Sequence, residues 1–489
     1  MADPLSELRH VHFIAIGGTG VGSLAGLVHA RGIRVTGSDR ALYPPMSTAL
    51  ESWGIEVEEG FRPENVLDDP PDLVVIGNAV RADNPEAVAA IDAGLPYRSF
   101  SDALYELAIA SKHCLTVTGT HGKTTTTSLC AYLLEATGRE PSLLVGGISL
   151  DFGGSFREAA GEHFVVEGDE YDTAFFDKTP KFLHYHPQTL IITSVEFDHA
   201  DIYRDLDHVK SVFRELVAGM PVDGTIVAAW DHEGVRDVVA GAPCAVVRYM
   251  AGEAREERGG GGEPADCDLI ATAIESDLDA TRFTLRVRGA DEREVRIPMY
   301  GRFNVENTLA ALAATRALGV PLAESIAALP GFRGVKRRQE VRGVERGVRV
   351  IDDFAHHPTA VRGCVEALRA QHPDARLIAV FEPRTNTSRR RIFQTAYVDA
   401  LAGADHIVVF EVPDEPIYSA TGEVTERFSS LELVAALGER GVSAASFDSV
   451  DGIVTHLVEH HREGDVVLVM SNGSFGNIWE RLLEALRSA

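Results

Sequence analysis

Lys123 and Thr124 stand directly after a glycine in the stretch GTHGKTTTT, an ammonium and a hydroxyl placed where a helix should begin. That arrangement is chemistry for holding an anion. Backbone N–H groups at a helix start point outward, the dipole adds positive potential, the lysine reaches phosphate oxygens and the threonine offers an oxygen to Mg2+. The familiar nucleotide loop places four residues between its two glycines, whereas Gly119 and Gly122 enclose only Thr120 and His121. Context supports the short form, because the apolar run CLTVTGT predicts a buried strand before the loop and TTTTSLCAYLLEATG predicts a helix after it. An ordinary glycine-containing turn is the bland alternative, and Gly-Lys-Thr in this context argues against it. Gly119, Thr120, Gly122, Lys123, Thr124 and Thr125 are therefore expected to contact a nucleotide.

Other reactive groups gather just past apolar runs. Glu167 follows HFVV in EGDEYD, and His199 lies in EFDHAD after TLIITSV. A carboxylate, the Thr124 hydroxyl and phosphate oxygens suit Mg2+, which prefers oxygen ligands; His199 suits that ion less well. Solvated loop-end charge is the competing account of either motif alone. The N-terminal run IGGTGVGSLAG spaces Gly20, Gly22 and Ala25 as G-x-G-x-x-A, with Gly18 before them and Asp39 ending the next strand. A dinucleotide-dependent dehydrogenase would use such a pattern, but the glycines begin earlier after the strand than that fingerprint prefers, and another diphosphate could use the same helix start. Near the other end, Arg337, Arg338, Arg384 and Arg389 to Arg391 concentrate positive charge in an acidic chain. The loops FEPRTNT and MSNGSFG, with Arg384, Asn386 and Asn472, offer guanidinium and amide donors for carboxylates or phosphates. Asp353, His356 and His357 fall in a similar loop, with no third ligand at metal spacing beside the histidine pair.

Positioning these groups requires α/β units. Three times an apolar, β-branched run ends in a glycine-rich or polar loop and is followed by a helical pattern, and open α/β sheets place ligands beyond the C-terminal ends of their strands. VHFIAIGG, IRVTGSD and DLVVIGNAV predict a small doubly wound sheet before residue 110; HFVVEGDE, TLIITSV and GTIVAAW extend a second; GVRVIDD, RLIAVFE, HIVVFEV and DVVLVMS build a third. TRFTLRVRG and REVRIPMYG predict a hairpin, NVENTLAALAATRALG a helix capped by Gly319, and AGEAREERGGGGEPADC a surface loop. Glycines, proline and charges in LPGFRGVKRRQE mark a boundary. The division expected is 1–109, 110–331 and 332–489.

Hydrophobic residues at 45% and charged residues at 24% are ordinary for a soluble globular protein, and 489 residues is roughly three domains' worth. A formal charge of −27 repels a nucleic-acid backbone, so nucleic acid is not an expected partner. No segment has the pattern of a secretion signal or the length to span a bilayer, which makes the cytoplasm the expected location, without membrane insertion. Five cysteines form neither a close metal pair nor a complete disulfide framework.

In combination, GTHGKTTTT, EGDEYD, EFDHADIY, NVENTLAALAA, GVKRRQE and DDFAHHPTA follow the order typical of Mur ligases, and the resemblance runs nearly end to end. It implies a three-domain α/β architecture: a Rossmann-like N-terminal domain for a UDP-sugar, a central P-loop ATPase-like domain and a Rossmann-like C-terminal domain for the peptide. EGDEYDTAFFDKTPKFLHY, EFDHADIY, EPRTNT and VMSNGSFG resemble the branch that joins L-alanyl-γ-D-glutamyl-meso-diaminopimelate to UDP-N-acetylmuramate. The resemblance implies ATP and Mg2+ as cofactors, an acyl phosphate intermediate and no obligatory protein partner. By motif, Lys123 and Thr124 would bind phosphate and Mg2+, Glu167 would bind Mg2+, and His199 would hold a second ion. Arg338 would reach the γ-phosphate, Asp353 the ribose, and Asn304 and Asn307 would lie near adenine. Gly18, Gly20, Gly22 and Asp39 would serve the UDP-sugar; Arg384, Asn386 and Asn472 would serve the peptide. Two departures stand out: Phe303 replaces a histidine that many relatives carry near the base, and Phe213 falls where several carry a carbamylated lysine, so Lys210 is not expected to be modified. The L-alanine-adding ligase, a dehydrogenase and a non-catalytic nucleotide-binding scaffold are the alternatives.

Overall fold

The computed structural model describes residues 8–43, 46–252, 266–412 and 416–488. The chain forms two compact units, one of Met1–Val195, Lys210–Leu269 and Thr308–Arg333, the other of Glu196–Val209, Ile270–Asn307 and Gly334–Ala489. Most of the expected surface loop, 253–265, lies outside the described residues.

Two sheets organise the first unit, one all parallel and the other with a parallel centre and antiparallel pairs toward its edges. One orders its strands as Glu56–Glu59, Arg34–Asp39, His10–Ile14, Leu73–Ile76 and Tyr97–Ser99, all parallel. The order reverses beside His10–Ile14, so the glycine turn after that strand opens at the crevice where doubly wound sheets receive ligands. The central run LVVI at Leu73–Ile76 is buried throughout, as expected of a strand covered on both faces. In the other sheet, His113–Thr118 lies between Thr189–Ile192 and His163–Glu167, parallel to both. The loops after these three strands carry the residues of the phosphate reading, and the sheet order makes the loops neighbours.

The second unit is built on a six-stranded sheet in the order Glu340–Glu345, Val348–Asp353, Val466–Met470, Leu377–Phe381, His406–Phe410 and Ser443–Phe447. Only the first pair is antiparallel. Apolar cores cover both faces, one containing Phe381, Tyr397 and Leu401, the other Val380, Trp479 and Leu482. The four apolar runs read from the sequence form the four inner strands. The two outer strands, EVRGVE and SAASF, lack such runs because each pairs on one side only and remains partly exposed.

The expected hairpin is present: Thr281–Val287 and Arg293–Ile297 pair antiparallel, and burial alternates along Thr281–Val287. The helix Arg302–Ala317 ends as read, with Gly319 at φ +81° and its N–H on the Arg316 carbonyl. Among the described residues, no helix is long and apolar enough to cross a membrane.

Candidate active site

The short glycine loop closes tightly onto the next strand's end. Gly119 has φ +129°, and a Cβ there would collide with the Thr193 hydroxyl and the Ser194 backbone. Thr120 N–H donates to the Ser194 carbonyl at 3.1 Å, and His121 N–H to Ser194 Oγ at 2.9 Å. Gly122, left-handed at φ +79°, is the N-cap of the helix Lys123–Ala136. Two glycines in conformations that side chains resist thus turn the chain from strand to helix within four residues.

Lys123 Nζ donates to the Gly119 carbonyl at 2.8 Å and to both oxygens of Glu170 at 3.0 and 2.8 Å. Burial alone would pull this ammonium down, but Glu170, Asp169 and Glu167 hold it above the ordinary lysine range. Thr124 Oγ1 donates to Glu167 Oε1 at 3.1 Å, while Gly146 N–H fixes the other Glu167 oxygen at 2.7 Å. A hydroxyl and a backbone-anchored carboxylate side by side are hard oxygen donors, which suits Mg2+. Lys123, Thr124 and Glu167 therefore come together, while Thr125 is buried on the same helix. Glu170, which the sequence reading passed over in favour of Glu167, is the partner of the lysine.

At the N-terminal sheet, the glycine turn is held by Asp39, whose carboxylate accepts from Gly17 N–H at 2.7 Å and Arg40 N–H at 2.7 Å. Gly18 is the N-cap of the helix Thr19–Ala30, so Gly20 and Gly22 lie inside its first turn and not in the preceding loop. A Cβ on Gly22 would press into Met46 and the Ile16 carbonyl, which accounts for glycine there by packing.

The second unit gathers its own polar set. His199, at φ +53°, donates its N–H to Asp198 Oδ1 at 2.7 Å, and His356 Nε2 lies 3.6 Å from Asp198 Oδ2. Although burial opposes its charge, Asp198 is held well below the usual carboxylate range by His199, His356 and His357. Asp353 accepts from the N–H groups of Gln339 and Ala355, both at 2.8 Å, placing it beside the turn that carries Arg338. Arg338 lies over the Phe354 ring at 4.9 Å. Asn307 Nδ2 donates to Asn304 Oδ1 at 3.1 Å, and Asn304 in turn donates to the Tyr300 carbonyl. Arg384 packs on Gly473, next to Asn472, with Glu382 3.9 Å away. Asn386 instead accepts from Arg389 and from the Tyr418 N–H.

With these positions established, comparison with known proteins identifies the design. Residues 10–112, 117–315 and 337–473 match, in turn, the Mur ligase family catalytic domain, the Mur ligase middle domain and the Mur ligase glutamate ligase domain. The chain belongs to the Mur ligase family. It is an ADP-forming amide ligase. Over 478 residues it is 37% identical to the UDP-N-acetylmuramate–L-alanyl-γ-D-glutamyl-meso-2,6-diaminoheptandioate ligase of Escherichia coli strain K12, covering 97% of this chain and 98% of that one. It is also 36% identical over 488 residues to the UDP-N-acetylmuramate–L-alanine ligase of Streptomyces avermitilis, with 97% of each chain covered. The crystal structure of a murein peptide ligase from Psychrobacter arcticus, 34% identical, superposes with a TM-score of 0.71 over 98% of this chain and 99% of that one.

Within this Mur ligase, the two departures have structural accounts. Phe303 packs against the core of the C-terminal sheet, its ring 3.2 Å from where a Cβ on Gly363 would lie. Phe213 is buried against Phe182 in the first unit, and Lys210 reaches Asp237 at 2.7 Å in an outward ion pair. A further group was invisible in the sequence: Asp352, fully buried, accepts from Arg337 Nε at 3.1 Å, while its other oxygen has no hydrogen-bond partner.

Burial pushes the Asp352 carboxyl up to about 6, and Arg337 only partly offsets it. Its folded pKa thus lies above the unfolded value of about 3.9, so its stabilising contribution is complete below that value and is lost as pH rises through about 6. Asp352→Asn removes this dependence. The stability of the variant relative to wild type should therefore increase between pH 4.5 and 7.5, whatever its constant offset, when urea midpoints are compared. A difference that does not change with pH would show that Asp352 does not titrate in this window.

Proposed function

We propose that this Mur ligase joins the tripeptide L-alanyl-γ-D-glutamyl-meso-diaminopimelate to UDP-N-acetylmuramate at the expense of ATP. The observation that carries this reading is the end-to-end likeness to the Escherichia coli ligase named for those substrates. In the reaction, the lactyl carboxylate of the sugar nucleotide takes the γ-phosphoryl group and becomes an acyl phosphate. The tripeptide amine attacks that carbonyl, and the tetrahedral adduct collapses with loss of phosphate and formation of the amide. The protein supplies no covalent nucleophile, only position and charge.

Each group then has a role. Lys123, pre-charged by Glu170, holds the nucleotide's phosphates as Gly119, Thr120, Gly122 and Thr125 shape the loop around them. Thr124 and Glu167 are the oxygen donors for Mg2+, with His199 serving a second ion; when bound, such ions neutralise phosphate charge. Arg338 meets the γ-phosphate, Asp353 the ribose, and Asn304 with Asn307 the adenine side. Gly18, Gly20 and Gly22 present the N-terminal helix start to the UDP diphosphate, and Asp39 acts by holding that turn. Arg384, Asn386 and Asn472 take the peptide. Residues 1–109, 110–331 and 332–489 carry the UDP-sugar, ATP and peptide functions respectively. Nucleotide-linked substrates place the enzyme in the cytoplasm.

The near-equal identity to the Streptomyces avermitilis enzyme supports a second reading, in which free L-alanine is the acceptor. The two differ in what the acceptor's far end requires. A tripeptide carries several carboxylates, whereas L-alanine has one, so the longer acceptor gains from a bidentate guanidinium, a contact of roughly 1.5–3 kcal/mol.

Two outcomes follow. Lys123→Ala should lower ligation turnover by more than about a hundredfold while leaving UDP-N-acetylmuramate affinity nearly intact, as read by ADP release and by equilibrium binding of the sugar nucleotide. Near-normal ADP release would remove Lys123 from the mechanism. With ATP and UDP-N-acetylmuramate supplied, ADP release should be much faster with the tripeptide than with equimolar L-alanine, and Arg384→Ala should narrow that ratio. A wild-type preference for L-alanine would establish the second reading instead.

A further inference from the structure

Arg338 belongs to a chain of cation–aromatic contacts that ends at Trp479 in the C-terminal helix. Its guanidinium lies 4.9 Å from the Phe354 ring centre, and Arg337 lies 5.4 Å from the same ring. Arg337 continues to Trp479 at 5.1 Å, and Arg342 reaches the other member of that pair, Trp479, at 5.2 Å. Trp479 is buried near the start of the C-terminal helix Ile478–Ser488, inside the apolar core under the sheet.

The backbone around Arg337 is bent to make these contacts. Arg337 has φ +60° and Gln339 φ +50°, a left-handed conformation that side chains adopt only where the surroundings impose it. The surroundings here are specific: Arg337 Nε bonds Asp352, its Nη2 bonds the Ser471 carbonyl at 2.8 Å, and Phe354 N–H donates to the Arg337 carbonyl. The Trp479 indole N–H is buried without a hydrogen-bond partner, so the ring is retained there at a polar penalty that a phenyl or aliphatic side chain would avoid. An indole offers the strongest π face among the side chains to a guanidinium.

We infer that Trp479 is a positioning residue for the nucleotide: it fixes Arg337, which bends the turn and, through the shared Phe354 ring, sets where Arg338 presents its guanidinium. Trp479 touches no reactant and acts only through this chain. The inference rests on the role proposed above for Arg338.

Four variants of the full-length enzyme test it. Trp479→Leu should raise the KM for ATP by about fivefold to thirtyfold and leave the KM for UDP-N-acetylmuramate unchanged, and Trp479→Phe, which keeps a ring, should restore most of the loss. Because the Leu variant can fail to fold, a second measurement uses the native side chain. The chain has three tryptophans, so Trp53→Phe with Trp230→Phe leaves Trp479 as the sole emitter. Its fluorescence should change on saturation with Mg2+ and a non-hydrolysable ATP analogue, and that change should vanish with Arg338→Ala. Emission that is unaltered at saturation, or a folded Leu variant with the wild-type KM for ATP, overturns the positioning role. If Arg338→Ala itself retained full ligation activity, the assignment of Arg338 to the γ-phosphate would fail, which is a separate result.

Discussion

A positive charge held among carboxylates is what the short glycine loop depends on. Lys123 lies against Glu170 in a largely buried site, within an acidic chain, and an ammonium buried without a partner would either lose its proton or destabilise the fold by several kcal/mol. Glu170 prevents both outcomes and keeps the ammonium aimed back over the loop at the Gly119 carbonyl. Gly119 and Gly122 are then required by geometry, since only glycine passes that close to Thr193 and turns left-handed at the helix start without strain.

The same constraint shapes the second unit with different groups. There the cations are guanidiniums, which stay charged under any burial and stack on rings, so they are held by faces as well as by carboxylates. Arg337 is fixed by Asp352, by the Ser471 carbonyl and by two aromatic rings at once. Asp198 is the converse case, an anion kept ionised by the histidines around it. In the first unit the glycine loop and Glu167 stand at the C-terminal ends of parallel strands, and in the second Asp353 does.

Much of this was legible along the chain. Apolar β-branched runs marked the inner strands, alternation in TRFTLRVRG marked the hairpin, and Gly319 marked a helix end, because burial on a sheet and the left-handed turn act on neighbouring residues. The edge strands EVRGVE and SAASF were not legible, since a strand paired on one side needs no apolar run. Among the site residues, Lys123, Thr124 and Glu167 were readable as a set, but the partner of the lysine was not. Glu167 and Glu170 stand in one short motif, and only the path of the loop after the strand turns the second carboxylate toward the ammonium.

The sequence by itself therefore determined the order of α/β units, the glycine turn between strand and helix and the chemical types available at each loop. These follow from periodicity and turn chemistry, which operate over a few residues. The tertiary structure alone decided that Asp39 closes its own glycine turn, that Phe303 faces a C-terminal core and that Trp479 backs Arg337. Such pairings join segments distant in the chain, and they arise when parallel strands bring non-consecutive loops side by side in an order that no local pattern encodes.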